Sequence, residues 1–203
     1  EADPYTIKKG FFFAHMGWML LKESIDQPIQ AIDLQKDKWI SLQDKHYVKT
    51  AIFMGYIFPG LIGWMMGNFW GGVLIAGALR IVLTQQSTFF VNSLCHTLGR
   101  QTYSKDISAR DSLFVAFLTH GEGYHNFHHT FQIDYRNGIR WYHWDPTKWT
   151  IKFLAIIGMA KKLRKISNIE ILKARLLAEE KVLKNNGLAE EKLVLMRNKI
   201  LSA

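Results

Sequence analysis

Hydrophobic and polar positions are segregated along this chain rather than interleaved. From Thr50 to Gly99 a single charged residue, Arg80, interrupts a block of apolar and uncharged polar side chains. A helix needs about 20 such residues to cross a bilayer core, so the block holds two spans, near 48–66 and 69–90, with a tight turn at Gly67-Asn68 between them. Pro59 lies inside the first span and is expected to kink it. The competing reading is a buried hairpin of a water-soluble fold, against which the length of the charge-free block argues. Upstream, the apolar run Phe11–Leu21 is too short to span and reads as an interfacial or re-entrant segment, and residues 23–49 are polar and charged. Downstream, residues 151–159 are apolar but short and read as a helix on or just inside the membrane interface. Residues 161–203 read as a charged helical tail, broken into two helices at Asn185-Asn186-Gly187. The expected fold class is all-α: a membrane helical hairpin, a cytosolic helical cap and a basic helical tail, divided as residues 1–160 and 161–203.

Charge refines this picture. Lys45 and Lys49 precede the hairpin, Arg100 and Lys105 follow it, and the connecting turn carries none, which places both ends in the cytosol. Arg80 falls inside the second span, where a charge is by default paired or functional. Thr84, Gln85, Gln86, Ser87 and Thr88 extend its polar face, which is expected to line protein interior, a cavity or a substrate tunnel. The net charge of +9 is concentrated in the tail, where eleven Lys or Arg face five Glu. That tail either meets anionic lipid or an acidic partner or is simply solvated. Mean hydropathy is −0.04 and conceals the segregation. The one cysteine, Cys95, excludes an intrachain disulfide and fits a reducing compartment. The chain opens on Glu1 rather than Met and shows no signal-peptide pattern, so it reads as starting inside a longer protein.

The chemistry concentrates in Gly121-Glu122-Gly123-Tyr124-His125-Asn126-Phe127-His128-His129. Histidines at i, i+3 and i+4 share one helix face, and neutral imidazole is the commonest metal ligand. Asn92 and His96 form a second i, i+4 pair at the cytosolic end of the second span, where His96 is either a further ligand or a satisfied core residue. A zinc hydrolase is disfavoured because no His-Glu-x-x-His arrangement supplies a general base.

Taken together, Glu1-Ala2-Asp3-Pro4-Tyr5, Gly10–Trp18, Asn92-Ser93-Leu94-Cys95-His96, Gly121–His129 and Asp134-Tyr135-Arg136-Asn137-Gly138-Ile139-Arg140-Trp141 resemble the membrane fatty acid desaturases of the stearoyl-CoA (delta-9) type, in their bacterial branch. The resemblance covers nearly all of residues 1–150. It implies a multi-pass protein of four spans, two of them here, in a bacterial inner membrane with its site on the cytosolic side. It also implies two iron ions held by three histidine boxes and a lone histidine. His96 matches the lone histidine, and His125, His128 and His129 match the third box. Asn92 matches an asparagine that reaches iron through water. Glu122 and Asn126 are candidates to orient the ligands, Glu122 being equally readable as a helix N-terminal acid. The acyl tunnel falls on Thr88 and Phe89, where the family has Thr-Trp, with Gln85, Trp18 and His15 as further candidates; His15 also reads as an interfacial residue. His120 and His143 are not expected to be ligands.

The first two boxes, His-x(4)-His and His-x-x-His-His, have no counterpart among the eight histidines. The chain is therefore expected to be the C-terminal part of a desaturase, inactive alone. The implied reaction is oxygen-dependent formation of a cis double bond in a saturated acyl chain carried by CoA, lipid or acyl carrier protein. Electrons would come from a ferredoxin, rubredoxin or cytochrome b5. Membrane lipids are expected contacts and nucleic acid is not. A histidine-box hydroxylase or alkane oxygenase, and a non-catalytic hairpin with a basic cytosolic module, are the alternatives.

Overall fold

The computed structural model describes residues 6–21 and 31–185, with the single positions 194, 195 and 198. The second tail helix expected beyond Asn186 therefore lies outside the described residues. The chain divides into two compact units, Met19–Thr88 and Glu1–Trp18 with Phe89–Ala203. The described residues are predominantly helical, with two isolated bridges as the only extended pairings.

In the first unit, helix α1 (Lys38–Lys45) starts at Asp37, whose carboxylate accepts from the N–H groups of Trp39 and Ile40. Helix α2 (Tyr47–Met65) follows, and then α3 (Phe69–Thr97), which runs past Thr88 into the second unit; each is long and apolar enough to cross a membrane. The most apolar windows of α2 and α3 are only 17% and 6% buried. Their apolar side chains face outward, as lipid-facing helices do, rather than into a protein core. The turn between them is held by Asn68, whose side chain accepts from Gly71 N–H at 2.8 Å.

Glycines set the hairpin's closeness. A Cβ on Gly63 would stand 2.7 Å from the Gly72 Cα, and one on Gly77 would stand 2.8 Å from the Gly55 carbonyl oxygen. Small residues let membrane helices approach backbone to backbone, where the hydrophobic effect gives no drive. Both helices widen into π-helical turns, at Phe53–Ile57 and Gly72–Leu79. Pro59 has no N–H to give the carbonyl four residues back, and the first wide turn sits over that gap.

Arg80 shares a 990 Å³ groove between α2 and α3 with Tyr47 and Gln85. Its Nε donates to the Ala76 carbonyl, while the Thr84 and Thr88 hydroxyls donate to the carbonyls of Arg80 and Thr84. Much of the polar stripe thus satisfies itself along its own helix.

In the second unit, a π-helical turn, Phe13–Gly17, continues into Trp18 and carries His15. Helices α4 (Leu113–Leu118), α5 (His125–Thr130), α6 (Pro146–Ile156) and α7 (Asn168–Asn185) follow. Asp145 caps α6, with Pro146 at its first turn. Residues 161–167 are not helical, a correction to a tail read as helical from 161. The reason is local: Tyr135 N–H donates to Arg164 O, Ile166 N–H donates to Asp134, and Ser167 with Glu170 forms a reciprocal capping box that starts α7.

Candidate metal centre

Helix α5 has one polar and one apolar face because His125, His128 and His129 alternate with Asn126 and Phe127. Phe127 is buried against the rings of Tyr103 and Phe131, with centroids 5.3 and 5.1 Å away. That contact turns the histidines away from the apolar side. The helix start is fastened from a distant part of the sequence: His125 N–H donates to Arg110 O, and Phe127 N–H donates to Asp111 Oδ1 at 3.1 Å. Gly121 and Gly123 make this approach possible. Gly121 sits at φ +108°, and a Cβ on Gly123 would fall 2.0 Å from the Ala116 nitrogen.

His96, at the end of α3, meets His125 and His129. One ring nitrogen from each of the three lies within 4.8 Å of the others, and the Nε2 atoms of His125 and His129 are 3.0 Å apart. Nitrogens that each stand about 2.1 Å from one metal are themselves about 3 Å apart. His128 stands beside this set rather than in it, its ring 5.9 Å from that of His125 and 5.7 Å from that of His129. Asn92 is half-buried one turn before His96 on the same helix.

His96 Nδ1 is hydrogen-bonded to Ser108 Oγ at 2.8 Å, the kind of contact that orients an imidazole. Ser108 in turn depends on Asn126, which has no exposed surface. The Asn126 side-chain oxygen accepts from the N–H groups of Tyr103 and Ser104, and its NH₂ donates to the carbonyls of Ser104 and Ala109. Asn126 has no bond left for an imidazole, so its contribution to the site runs through the loop it clamps. The Glu122 carboxylate accepts from Asn137 Nδ2 at 2.8 Å, and its backbone carbonyl accepts from Cys95 Sγ.

Asn137 belongs to a loop locked by two buried ions. Asp145 accepts from the N–H groups of Asn137, Gly138 and Lys148. The Lys148 ammonium donates to the carbonyls of Gly138, Arg140 and His143. A buried pair, Arg136 with Asp134 at 2.6 Å, anchors the same region.

Burial and the neighbouring imidazoles His129, His96 and His128 push the His125 pKa down to about 2. His125 therefore stays neutral, the form in which an imidazole can bind a metal. Burial pushes Asp111 up to about 6 despite its bonds to backbone N–H groups.

The five tunnel candidates divide between the units. His15 is buried, bonded to Ser93 Oγ at 2.9 Å and surrounded by Phe11, Phe89 and Phe90. Phe89 and Trp18 belong to the same unit as His15, and Gln85 and Thr88 belong to the other. The sequence reading missed Ser108, Asp111, Asn137 and Lys148. The Asp145-Pro146 pair and the Ser167-x-x-Glu170 box were visible helix-start signals. Nothing near Ser108 announces its partner twelve positions away.

The fatty acid desaturase family model matches residues 1–153. This chain belongs to the fatty acid desaturase family. It is 40% identical over 182 residues to acyl-CoA desaturase 1 of Saccharomyces cerevisiae, covering 88% of this chain and 36% of that protein. To stearoyl-CoA desaturase 5 of Bos taurus it is 33% identical, covering 86% of this chain and 55% of that protein. To the acyl-CoA Delta-12 desaturase of Tribolium castaneum it is 37% identical, covering 85% and 51%. The chain thus spans between about a third and a little over half of these relatives. With its two long apolar helices, a desaturase-family chain is a membrane protein. The donor set fits the iron such proteins use: three imidazoles, two of them at ligand spacing and one held by a hydroxyl.

Proposed function

We propose that this chain forms part of an oxygen-dependent acyl desaturase, and that His96, His125 and His129, with His128 beside them, provide one wall of its two-iron site. The observation that carries this reading is the convergence of the three imidazoles from α3 and α5, with Ser108 behind His96. Iron bound there would supply the oxidising power to take hydrogen from an unactivated methylene, which no side chain has. The residues of this chain hold and orient: Ser108 fixes the His96 ring, Asn126 fixes the loop that carries Ser108, and Asp111 fixes the start of α5. Asn92 would approach iron through water.

The names of the relatives support a CoA-linked acyl substrate. The resemblance favours a cis double bond at the delta-9 position, and the beetle relative named for Delta-12 makes that position a quantity to measure. The site and both ends of the hairpin face the cytosol on the charge pattern. An acidic electron donor, such as a ferredoxin, rubredoxin or cytochrome b5, would complement the basic chain.

The test is iron stoichiometry with product analysis. Four candidate ligand histidines are too few for two irons, so the purified chain alone should bind at most one iron and form no alkene. Loading near two irons per chain, or alkene from the chain alone, overturns this. An alcohol product from the complete protein would point to a hydroxylase instead.

A further inference from the structure

Two helices of the second unit leave their apolar faces uncovered. On α4, Val115 and Ala116 are buried while Leu113, Phe114 and Phe117 are exposed. On α6, Trp149, Phe153 and Ile156 recur at i, i+4 and i+7, one helical stripe, with Phe153 60% and Ile156 75% exposed. Trp144 joins the two stripes: its ring stands 5.2 Å from Phe117 and 5.6 Å from Trp149. Scattered exposed apolar residues need no explanation, but a contiguous face of them marks an interaction surface.

Charge identifies what meets it. Between Ile139 and Ile169 the only acidic residue is Asp145, which is buried and spent on capping α6. The cations Arg140, Lys152, Lys161, Lys162, Arg164 and Lys165 in the same stretch are all exposed. Tryptophan and aliphatic side chains with a basic, acid-free surround are the composition of the lipid headgroup zone. Basic side chains near an anionic leaflet each add about 1 kcal/mol of attraction. A second copy of this chain would instead bring like charges together. The chain's own spans keep a bilayer within reach at all times.

We propose that the α4–α6 face beds into the anionic headgroup layer of the membrane the chain crosses. The proposal is independent of the metal reading, since none of these residues belongs to the histidine cluster.

The experiment uses the full chain, whose single cysteine, Cys95, is fully buried and leaves introduced cysteines as the labelling sites. Spin labels go on Phe117→Cys, Phe153→Cys and Ile156→Cys, with the exposed Glu179→Cys on α7 as the water reference. Each is read in bilayers of phosphatidylcholine with and without phosphatidylserine. Collision rates with oxygen, which concentrates in lipid, are compared with those for a water-soluble nickel chelate. The expected result is an oxygen-to-nickel ratio several-fold higher at positions 117, 153 and 156 than at 179. Equal nickel access at all four positions would mean a face open to water and overturns the proposal. Low access to both reagents at 117, 153 and 156 would mean cover by protein and also overturns it. Lys152→Glu combined with Lys161→Glu and Lys162→Glu should lower the ratio at 153 only when phosphatidylserine is present. An unchanged ratio there refutes the role given to the basic surround.

Discussion

Ser108→Ala isolates the part of the site that no histidine spacing specifies. It removes one hydroxyl, the one that holds His96 Nδ1 at 2.8 Å. Ser108 is exposed, so the loss should change folding stability by no more than about 0.5 kcal/mol. Its effect belongs to the metal. Removing the group that orients a ligating imidazole typically weakens binding 10- to 100-fold, or about 1.4 to 2.8 kcal/mol. The His96 ring, freed at Nδ1, must then be ordered at the metal's expense, and either nitrogen can turn toward it. The assay is titration of the full chain with cobalt(II) in lipid nanodiscs, following the visible bands, with thermal unfolding measured alongside. Ser108→Thr keeps the hydroxyl and should keep the affinity, whereas His96→Ala should lose more than Ser108→Ala. Cobalt affinity in Ser108→Ala matching the parent would refute the reasoning, as would an affinity loss that only follows a loss of stability.

Asn126→Ala should behave differently, because its four bonds to the backbone of residues 103–109 are worth about 1 kcal/mol each. The melting temperature and cobalt affinity should fall together, and an unchanged melting temperature counts against the clamp. Asp134→Ala strands the buried Arg136 and should destabilise by about 3–5 kcal/mol in denaturant unfolding; an effect below about 1 kcal/mol would show that water already reaches the pair. The pH dependence has two opposing parts. His125 stays neutral in the fold down to about pH 2 while the unfolded chain takes up its proton below about 6.5, so stability falls with acid across that range. Asp111, raised to about 6, takes up a proton in the fold before the unfolded chain does, which offsets part of that fall between about pH 6 and 4. Asp111→Asn should therefore lose stability more steeply than the parent between those two values, and a parallel profile refutes the assignment.

The sequence alone determined the two long apolar helices. A fifty-residue block with one charge can satisfy its backbone in lipid only as helices, and Gly67-Asn68 supplies the turn. It also put His125, His128 and His129 on one face, because that follows from the 3.6-residue period. The same period could not rank the three: His96 meets His125 and His129, and His128 stands to the side. His96 gained a place among them only where the Arg100, Asp111 and Tyr124 backbones pair and draw the end of α3 toward α5. Asn126 reads in the sequence as a partner for an imidazole because a ligating ring usually donates its other N–H to a carboxylate or carbonyl. Helix geometry turns it the other way, into a loop whose backbone groups would otherwise be buried without bonds. Residues 161–167 were read as helix from their composition. Their backbone is claimed by Asp134 and Tyr135, and α7 waits for the Ser167 cap. Periodicity and hydropathy act through near neighbours and are written in the chain. The three-imidazole cluster and the hold on the His96 ring depend on contacts between positions 12 to 33 residues apart, from Ser108 with His96 to His129 with His96, and only the folded structure brings those together.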